Sequence, residues 1–123
     1  MFKVIIAGGR NFNNYQILKE KCIFYLKDRI KDEICIVSGC ANGADKLGEK
    51  FAEEFRIDVE LYPAQWNTLG KRAGYIRNEE MANNANALIA FWDGESNGTR
   101  HMIETAKKKG LLVRVILYEN KTP

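Results

Sequence analysis

The sequence predicts an α/β fold in which one five-stranded parallel sheet carries helices on both faces. Short apolar runs of strand length alternate with segments whose apolar residues recur at helical spacing. Three of these runs end in polar loops that contain glycine, which is typical of open parallel sheets that bind ligands at the carboxyl ends of their strands. Right-handed crossovers and short connections leave few other arrangements for such a pattern.

Length and composition limit the possibilities further. With 123 residues, 46% of them hydrophobic, the chain suits one domain, which we place at residues 1–118, followed by a frayed tail over residues 119–123. The formal charge of +3 comes from 19 basic and 16 acidic residues, so nucleic acid is a possible partner but is not indicated. Three cysteines without CxxC spacing favour a reducing compartment. No apolar run reaches membrane-spanning length or resembles a signal peptide, so we expect a soluble cytoplasmic protein without membrane partners.

The elements are predicted in chain order from the same patterns. Strands are expected over residues 2–7, 34–37, 58–62, 87–92 and 112–117. Helices are expected over residues 15–30, after residue 43 with a buried face that extends to Phe55, from residue 73, and from residue 99 to a stop at Gly110. Residues 67–74 are expected to form an irregular loop.

The loop after the fourth strand is the first candidate binding site. It contains Asp93, Gly94, Ser96, Gly98 and Thr99, and a helix is expected to begin at its end. Unpaired N–H groups and the positive end of the helix dipole make such a position suitable for an anion such as phosphate. An ordinary strand-to-helix turn of glycine and polar residues is the alternative interpretation.

Two further loops are expected on the same edge of the sheet. One contains Gly8, Gly9 and Arg10, where the arginine offers a planar cation to phosphate or carboxylate. The other runs from residue 38 to residue 45, and its candidate ligand-binding residues are Ser38, Gly39, Gly43 and Asp45. Because parallel strands end at one edge, we expect all three loops to line one crevice.

Two side chains between these loops are also candidates. Trp66 is either a packing residue or a surface on which a base stacks. Arg77 is expected on the sheet-facing side of its helix, where it needs an anionic partner. That partner is an internal carboxylate, Asp45 or Asp93, or a bound phosphate. His101 lies in the first turn of its helix, where ligand contact is one interpretation and a surface or packing role is favoured. It is the only histidine, so no metal site is predicted.

Five motifs, in order along nearly the whole chain, resemble the YspA-related branch of the SLOG superfamily. They lie at residues 8–10, 38–45, 63–66, 73–81 and 91–99. The resemblance implies a Rossmann-like sheet of order 3-2-1-4-5, nucleotides or nucleotide-derived molecules bound over the strand ends, and a homodimer. The superfamily also includes the LOG-type cytokinin-activating phosphoribohydrolases and the DprA/Smf DNA-processing proteins, and the YspA-like branch is common in bacteria and their phages.

The LOG pattern can be compared position by position. Arg77-Asn78-x-x-Met81 resembles the LOG helix motif, which places Arg77 where LOG proteins have a catalytic, phosphoribosyl-contacting arginine and marks Asn78 as a ligand-binding candidate. The LOG phosphate loop carries an acid three residues after its threonine, and this chain has Met102 there, expected at the mouth of the pocket. Breaking a ribosyl bond needs a carboxylate near the developing positive charge. Asp93 or Glu95 is the candidate substitute.

Three functions therefore remain. We place first a pocket that binds a nucleotide-like molecule, as a sensor or carrier, with no cofactor. A phosphoribohydrolase is second, since the expected acid is missing. DNA binding is third, because the excess of positive charge is small and the three lysines at residues 107–109 suit a helix C-terminus.

Overall fold

The computed structural model describes residues 1–29 and 32–119 and confirms the predicted fold. Its five strands form one parallel sheet in the order β3-β2-β1-β4-β5. The strands are β1 (Phe2–Gly8), β2 (Ile34–Ser38), β3 (Asp58–Leu61), β4 (Ala87–Trp92) and β5 (Leu112–Leu117). This is the order that the family resemblance implied.

Five helices connect the strands. They are α1 (Tyr15–Leu26), α2 (Ala44–Glu54), α3 (Trp66–Leu69), α4 (Ala73–Asn83) and α5 (Asn97–Lys108), with 3₁₀ turns at Lys27–Arg29 and Gly70–Arg72. Two sequence-based expectations are wrong here. The first helix ends at Leu26 instead of continuing to residue 30, which itself lies outside the described residues. Residues 67–74, expected to be irregular, are helical almost throughout. Most of the expected frayed tail, residues 120–123, is also outside the described residues.

The sheet separates two apolar cores, so the fold has three layers. Val4 and Ile6 of β1 point to the core under α1 and α2, whereas Ile5 and Ala7 point to the core under α4 and α5. Alternate residues of one strand fill opposite cores, which explains why the central strands read as continuous apolar runs.

Phe55 departs from its predicted place on the buried face of the second helix. Its side chain is 42% exposed, because α2 ends at Glu54 and Phe55 is the residue that follows its last turn. The ring instead packs on Phe51, with 4.8 Å between ring centroids, and beneath the ammonium group of Lys19.

The strand order places a crevice at one edge of the sheet. The chain adds β2 and β3 on one side of β1 and then returns to add β4 and β5 on the other side. The loops after β1 and β4 therefore diverge toward opposite faces, which opens a gap between them at the carboxyl ends of the strands.

Glycine is required where the loop after β2 crosses the loop after β1. Gly43 has a φ of +81°, and a β-carbon there would overlap the carbonyl oxygens of Gly9 and Arg10. This contact lets the N–H group of Ala44 donate to the carbonyl oxygen of Gly9 at 3.2 Å.

We expect Gly43→Ala to lower the free energy of unfolding by clearly more than Gly94→Ala. Gly94 has nearly the same φ, +85°, but open space where a β-carbon would sit. The unfavourable backbone conformation costs about 1–2 kcal/mol at either position, and only Gly43→Ala adds a collision with backbone. Urea denaturation of both variants measures the difference, and equal losses would show that the crossing is not tightly packed.

Candidate functional site

A cleft of about 610 Å³ lies where the strand order opens the sheet edge. Its walls come from the ends of β1 and β4, the start of α2, the segment from α3 to α4, and the start of α5. Of the residues predicted from sequence, those that line it are Gly8, Gly9, Arg10, Asp45, Trp66, Arg77, Asn78, Asp93, Ser96, Gly98 and Thr99. Gly39 lines an adjoining cavity, whereas Ser38, Gly43, Gly94 and Glu95 line neither.

The loop after β1 supplies backbone and one cation. The N–H of Gly9 donates to the carbonyl oxygen of Phe91 at 3.0 Å, which fixes this loop to the end of β4. Arg10 is exposed, and its guanidinium lies 6.0 Å from the ring centroid of Trp66. Trp66 is itself 48% exposed, so the indole is not a core residue and presents surface at the rim of the cleft.

The loop after β2 is held by side chains that do not face the cleft. Ser38 is fully buried; its hydroxyl donates to Glu49 Oε2 at 2.6 Å and accepts from the N–H of Cys40 at 3.1 Å. With the packing of Gly43 against Gly9, these bonds give Ser38 and Gly43 a supporting role in the loop.

Asp45, on the first turn of α2, faces the cleft but is only 5% exposed. Its Oδ2 accepts the N–H of Ala41 at 3.1 Å. Burial raises the pKa of this carboxyl group to about 6, against the opposing effects of that N–H group and of Arg77. The cleft therefore contains an acid that titrates just below neutral pH.

Arg77 is half-buried and bonded on two sides. Its Nη1 donates to the carbonyl oxygen of Gly39, and its Nε donates to Asn78 Oδ1 at 3.1 Å. Burial lowers the pKa of the guanidinium, and the carboxylate of Asp45 opposes that shift. Asp45, one of the two carboxylates predicted from sequence, is thus its electrostatic partner. Arg77 Nη1 and Asp45 Oδ2 lie 2.6 and 2.8 Å from the point where a β-carbon on Gly39 would sit.

Asn78 connects Arg77 to the start of α5. It is 5% exposed, and its Nδ2 lies 3.3 Å from the carbonyl oxygen of Gly98, to which it donates, and 3.2 Å from His101 Nδ1. His101 also packs on the ring of Tyr75, with 4.4 Å between centroids. The histidine therefore has the packing role expected from sequence, and Asn78 positions the helix terminus.

The N-terminus of α5 is open toward the cleft. No side chain caps it, and the hydroxyl of Ser96 instead lies 3.4 Å from that of Thr99. A β-carbon added at Gly98 would meet nothing within 4 Å, so a ligand can approach the backbone there. By contrast, α1 is capped by Asn14, whose side chain accepts the N–H of Ile17 at 3.1 Å.

The sequence suggested Asp93 and Glu95, the two acids of this loop, as substitutes for the missing catalytic acid. One of them is hydrogen-bonded within the loop, and the other lies outside the cleft. Asp93 Oδ1 accepts the N–H groups of Glu95 and Ser96 at 2.9 and 2.8 Å, which lowers the pKa of its carboxyl group. Asp93 thus shapes the turn, while Glu95 is exposed and lies outside the cleft.

Met102 was expected at the mouth of the pocket, and that expectation is wrong. The residue lies at the floor of the pocket. Its side chain is 1% exposed and belongs to the core beneath α4 and α5, although it borders the cleft. The helix turns this position inward, so the missing acid of the LOG pattern is replaced by a core residue.

Sequence reasoning missed several lining residues. They are Ala7, Asn11, Ala41, Lys71, Gly74, Tyr75 and Met81. The sequence predicts an irregular loop over residues 67–74 and so gives no position for Lys71, whereas a 3₁₀ turn places this lysine at the wall of the cleft. Tyr75, two residues before Arg77, is 46% exposed at the rim of the cleft, and the sequence alone does not show that exposure.

Comparison with known proteins identifies the family. The chain matches the YspA, cpYpsA-related SLOG family over residues 2–68. The chain belongs to this SLOG family. This confirms the resemblance drawn from the motifs, although the matched segment of the SLOG protein ends before Arg77 and α5.

A phage relative covers the rest of the chain. The Gene 61 protein of Mycobacterium phage D29 is 34% identical to this SLOG protein over 126 aligned residues, which span 92% of the chain and 94% of the relative. No solved structure matches the chain.

Two further features concern metals and membranes. Within residues 1–29 and 32–119, no three His, Cys, Asp or Glu side chains gather as metal ligands would. In the same ranges, none of the helices of the SLOG protein has the length and apolar character needed to cross a bilayer.

We expect Asp45→Asn to become progressively more stable than the unmodified protein as pH rises from about 4 to about 6. Asparagine preserves the shape and can still accept the N–H of Ala41. The pKa of Asp45 is raised from 3.8 to about 6 in the folded state, so the folded protein keeps a proton that the unfolded chain loses. The contribution of this group to the free energy of unfolding is therefore complete below about pH 4 and is lost as pH rises to about 6.

Between pH 4 and pH 6.5, the free energy of unfolding of Asp45→Asn should rise relative to that of the unmodified protein by roughly 2–3 kcal/mol, given about 1.4 kcal/mol per pKa unit. Urea denaturation of both proteins between pH 4 and pH 8 measures it. Charges that face Asp45 from Lys46, Glu49 and Arg77 are common to both proteins. A constant difference across this range would show that Asp45 has an ordinary pKa.

Proposed function

We propose that this SLOG protein binds a nucleotide or a nucleotide-derived phosphorylated molecule in the cleft, as a sensor or carrier. The observation that carries the proposal is the position of Arg10 and Arg77, two cations on the wall of a cleft that the open N-terminus of α5 also lines. Burial lowers the pKa of Arg77, the carboxylate of Asp45 opposes that shift, and repulsion from the positive charge of Arg10 adds to it. A bound phosphate would relieve that repulsion.

Arg77 retains hydrogen-bonding capacity for such an anion. A guanidinium has five N–H donors, and two of those of Arg77 bond to Gly39 and Asn78. Its Nη2 lies 3.8 Å from the point where a β-carbon on Gly74 would sit, so the missing side chain leaves room in front of this nitrogen. The arginine is thus held in place by the protein and still directed into the cleft.

The remaining walls suit the other parts of a nucleotide. Trp66 and Tyr75 are about half-exposed at the rim, where an aromatic base can stack on either ring. Asp45 provides a carboxylate acceptor for sugar hydroxyl groups, as an acid does in other dinucleotide-binding α/β folds. Mass spectrometry of small molecules released on denaturing the purified protein tests the proposal directly; release of only non-phosphorylated molecules would contradict it.

We expect Arg77→Ala to weaken the binding of a nucleoside phosphate roughly 10- to 100-fold, because a charge-assisted hydrogen bond contributes about 1.5–3 kcal/mol. Lys108→Ala removes an exposed cation outside the cleft and should change affinity less than about twofold. Isothermal titration calorimetry with nucleoside mono- and diphosphates measures both.

A third variant tests whether the positive charge at position 77 is sufficient for binding without the guanidinium group. Arg77→Lys keeps the charge but loses the fork that contacts Gly39 and Asn78, so its affinity should lie between those of the other two. Equal affinities of the Arg77→Ala and Lys108→Ala variants would remove Arg77 from the site.

Phosphoribohydrolase activity is the second candidate, because the acid that the LOG pattern places three residues after the threonine is missing. Oδ1 of Asp93 accepts hydrogen bonds from two backbone N–H groups, and Glu95 is exposed to solvent. Met102 fills the position of the expected acid. Binding a substrate and its transition state equally gives no acceleration. That the protein acts in the cytoplasm remains a prediction from its composition, and that it forms a homodimer remains a prediction from the resemblance.

We therefore expect the protein to release little or no free base from nucleoside monophosphates. Chromatography of reaction mixtures after long incubation measures release, with Arg77→Ala as the control for trace contaminating activity. Met102→Glu adds a carboxylate at a position only 1% exposed, so it should lower stability. Brisk turnover by the unmodified protein, abolished by Arg77→Ala, would make the hydrolase the correct function.

A further inference from the structure

A second cavity, of about 340 Å³, adjoins the cleft. Four residues line both spaces: Arg10, Ala41, Trp66 and Arg77. The walls of the second cavity alone are Gly39, Cys40, Asn42, Pro63 and Ala64. The two spaces are therefore neighbouring compartments of one depression, and the shared wall contains both arginines.

The shared wall has the chemistry of a phosphate contact. The guanidinium of Arg10 is close enough to Arg77 to disfavour its charge, and the carboxylate of Asp45 favours that charge. An anion at this wall is within reach of one cation from the loop after β1 and one from α4, whereas the outer ends of the two compartments have no such pair of arginines.

Each compartment can hold a ring system. Their volumes fall within or at the lower end of the range of about 300–1,000 Å³ that is typical of small-molecule sites. Trp66 borders both, so its half-exposed indole can contact a ring on either side. Tyr75 adds a second aromatic surface in the larger compartment, and Pro63 and Ala64 add apolar surface in the smaller one.

We propose that the ligand spans both compartments and belongs to the dinucleotide class, with two nucleoside groups joined by a phosphate linker. The linker lies at Arg10 and Arg77, and one nucleoside group occupies each compartment. This inference rests on the proposed function, since it extends the same site. A pyrophosphate linker and a phosphodiester linker share the required chemistry, and the experiment distinguishes them.

The first test compares affinities for the unmodified protein. Calorimetry is performed with adenosine and guanosine monophosphates, with dinucleotides joined by pyrophosphate, and with dinucleotides joined by a 3′–5′ phosphodiester. We expect one class of dinucleotide to bind at least about tenfold more tightly than either of its mononucleotide halves. The class that binds more tightly shows whether the linker is a pyrophosphate or a phosphodiester.

The second test fills the smaller compartment alone. Ala64→Phe adds a ring that occupies this space, so the affinity for the dinucleotide should fall to that for a mononucleotide. Gln65→Phe is the matched control, because it adds the same ring to the adjacent exposed residue, which lines neither compartment. Thermal unfolding confirms that both variants are folded.

The outcomes separate this inference from the proposed function. Equal affinities for mononucleotides and both dinucleotide classes would overturn the two-compartment ligand and leave nucleotide binding intact. An Ala64→Phe variant that keeps the tighter dinucleotide binding would also overturn it. If no mononucleotide or dinucleotide binds, the proposed function fails together with its extension.

Discussion

The site depends on a close backbone contact among three loops, centred on Gly9. The carbonyl oxygen of this residue accepts the N–H groups of Phe12 and Ala44, both at 3.2 Å, while its own N–H donates to Phe91. One residue thus joins the ends of β1 and β4 to the start of α2. These bonds need almost no space between chains, and side chains at Gly8 or Gly43 would collide with neighbouring backbone. The glycines that the sequence marks as ligand contacts are therefore required first for assembly of the cleft.

A second set of contacts, made by α4, closes the opposite wall. Arg77 bonds to the carbonyl oxygen of Gly39 and Asn78 bonds to that of Gly98, so two adjacent residues join the loop after β2 to the start of α5. Asp45, buried beside the arginine, completes this wall without a direct bond to Asn78. Because both carbonyl groups lie at loop ends, the bonds restrict the segments that a ligand would contact, and a preorganised site loses less conformational entropy on binding.

The sequence predicts the strands and their order well, because apolar runs report burial and the family motifs report connectivity. It predicts side-chain roles less well, and two acids show why. Asp45 and Asp93 both lie in polar loops beside glycine, yet burial raises the pKa of the first and two backbone N–H groups lower that of the second. Helical periodicity likewise places Met102 and Phe55 on inward faces but does not reveal where a helix ends or how deep a position lies. The contact of Arg77 with the backbone carbonyl of Gly39 leaves no mark in the sequence, since every residue has such a group.

Two groups of cations in this protein have opposite effects on stability. Lys107 and Lys108 lie at the last turn of α5, where positive charge is favoured by the helix dipole and by water. Arg10 and Arg77 instead repel each other at the wall of a cleft, and Arg77 also loses hydration there. The carboxylate of Asp45 offsets part of this cost, and the hydrogen bonds to Gly39 and Asn78 keep Arg77 in place. Groups held at such a cost to stability are concentrated at binding and catalytic sites, which is why the arginine pair points more strongly to a phosphorylated ligand than the small net charge does.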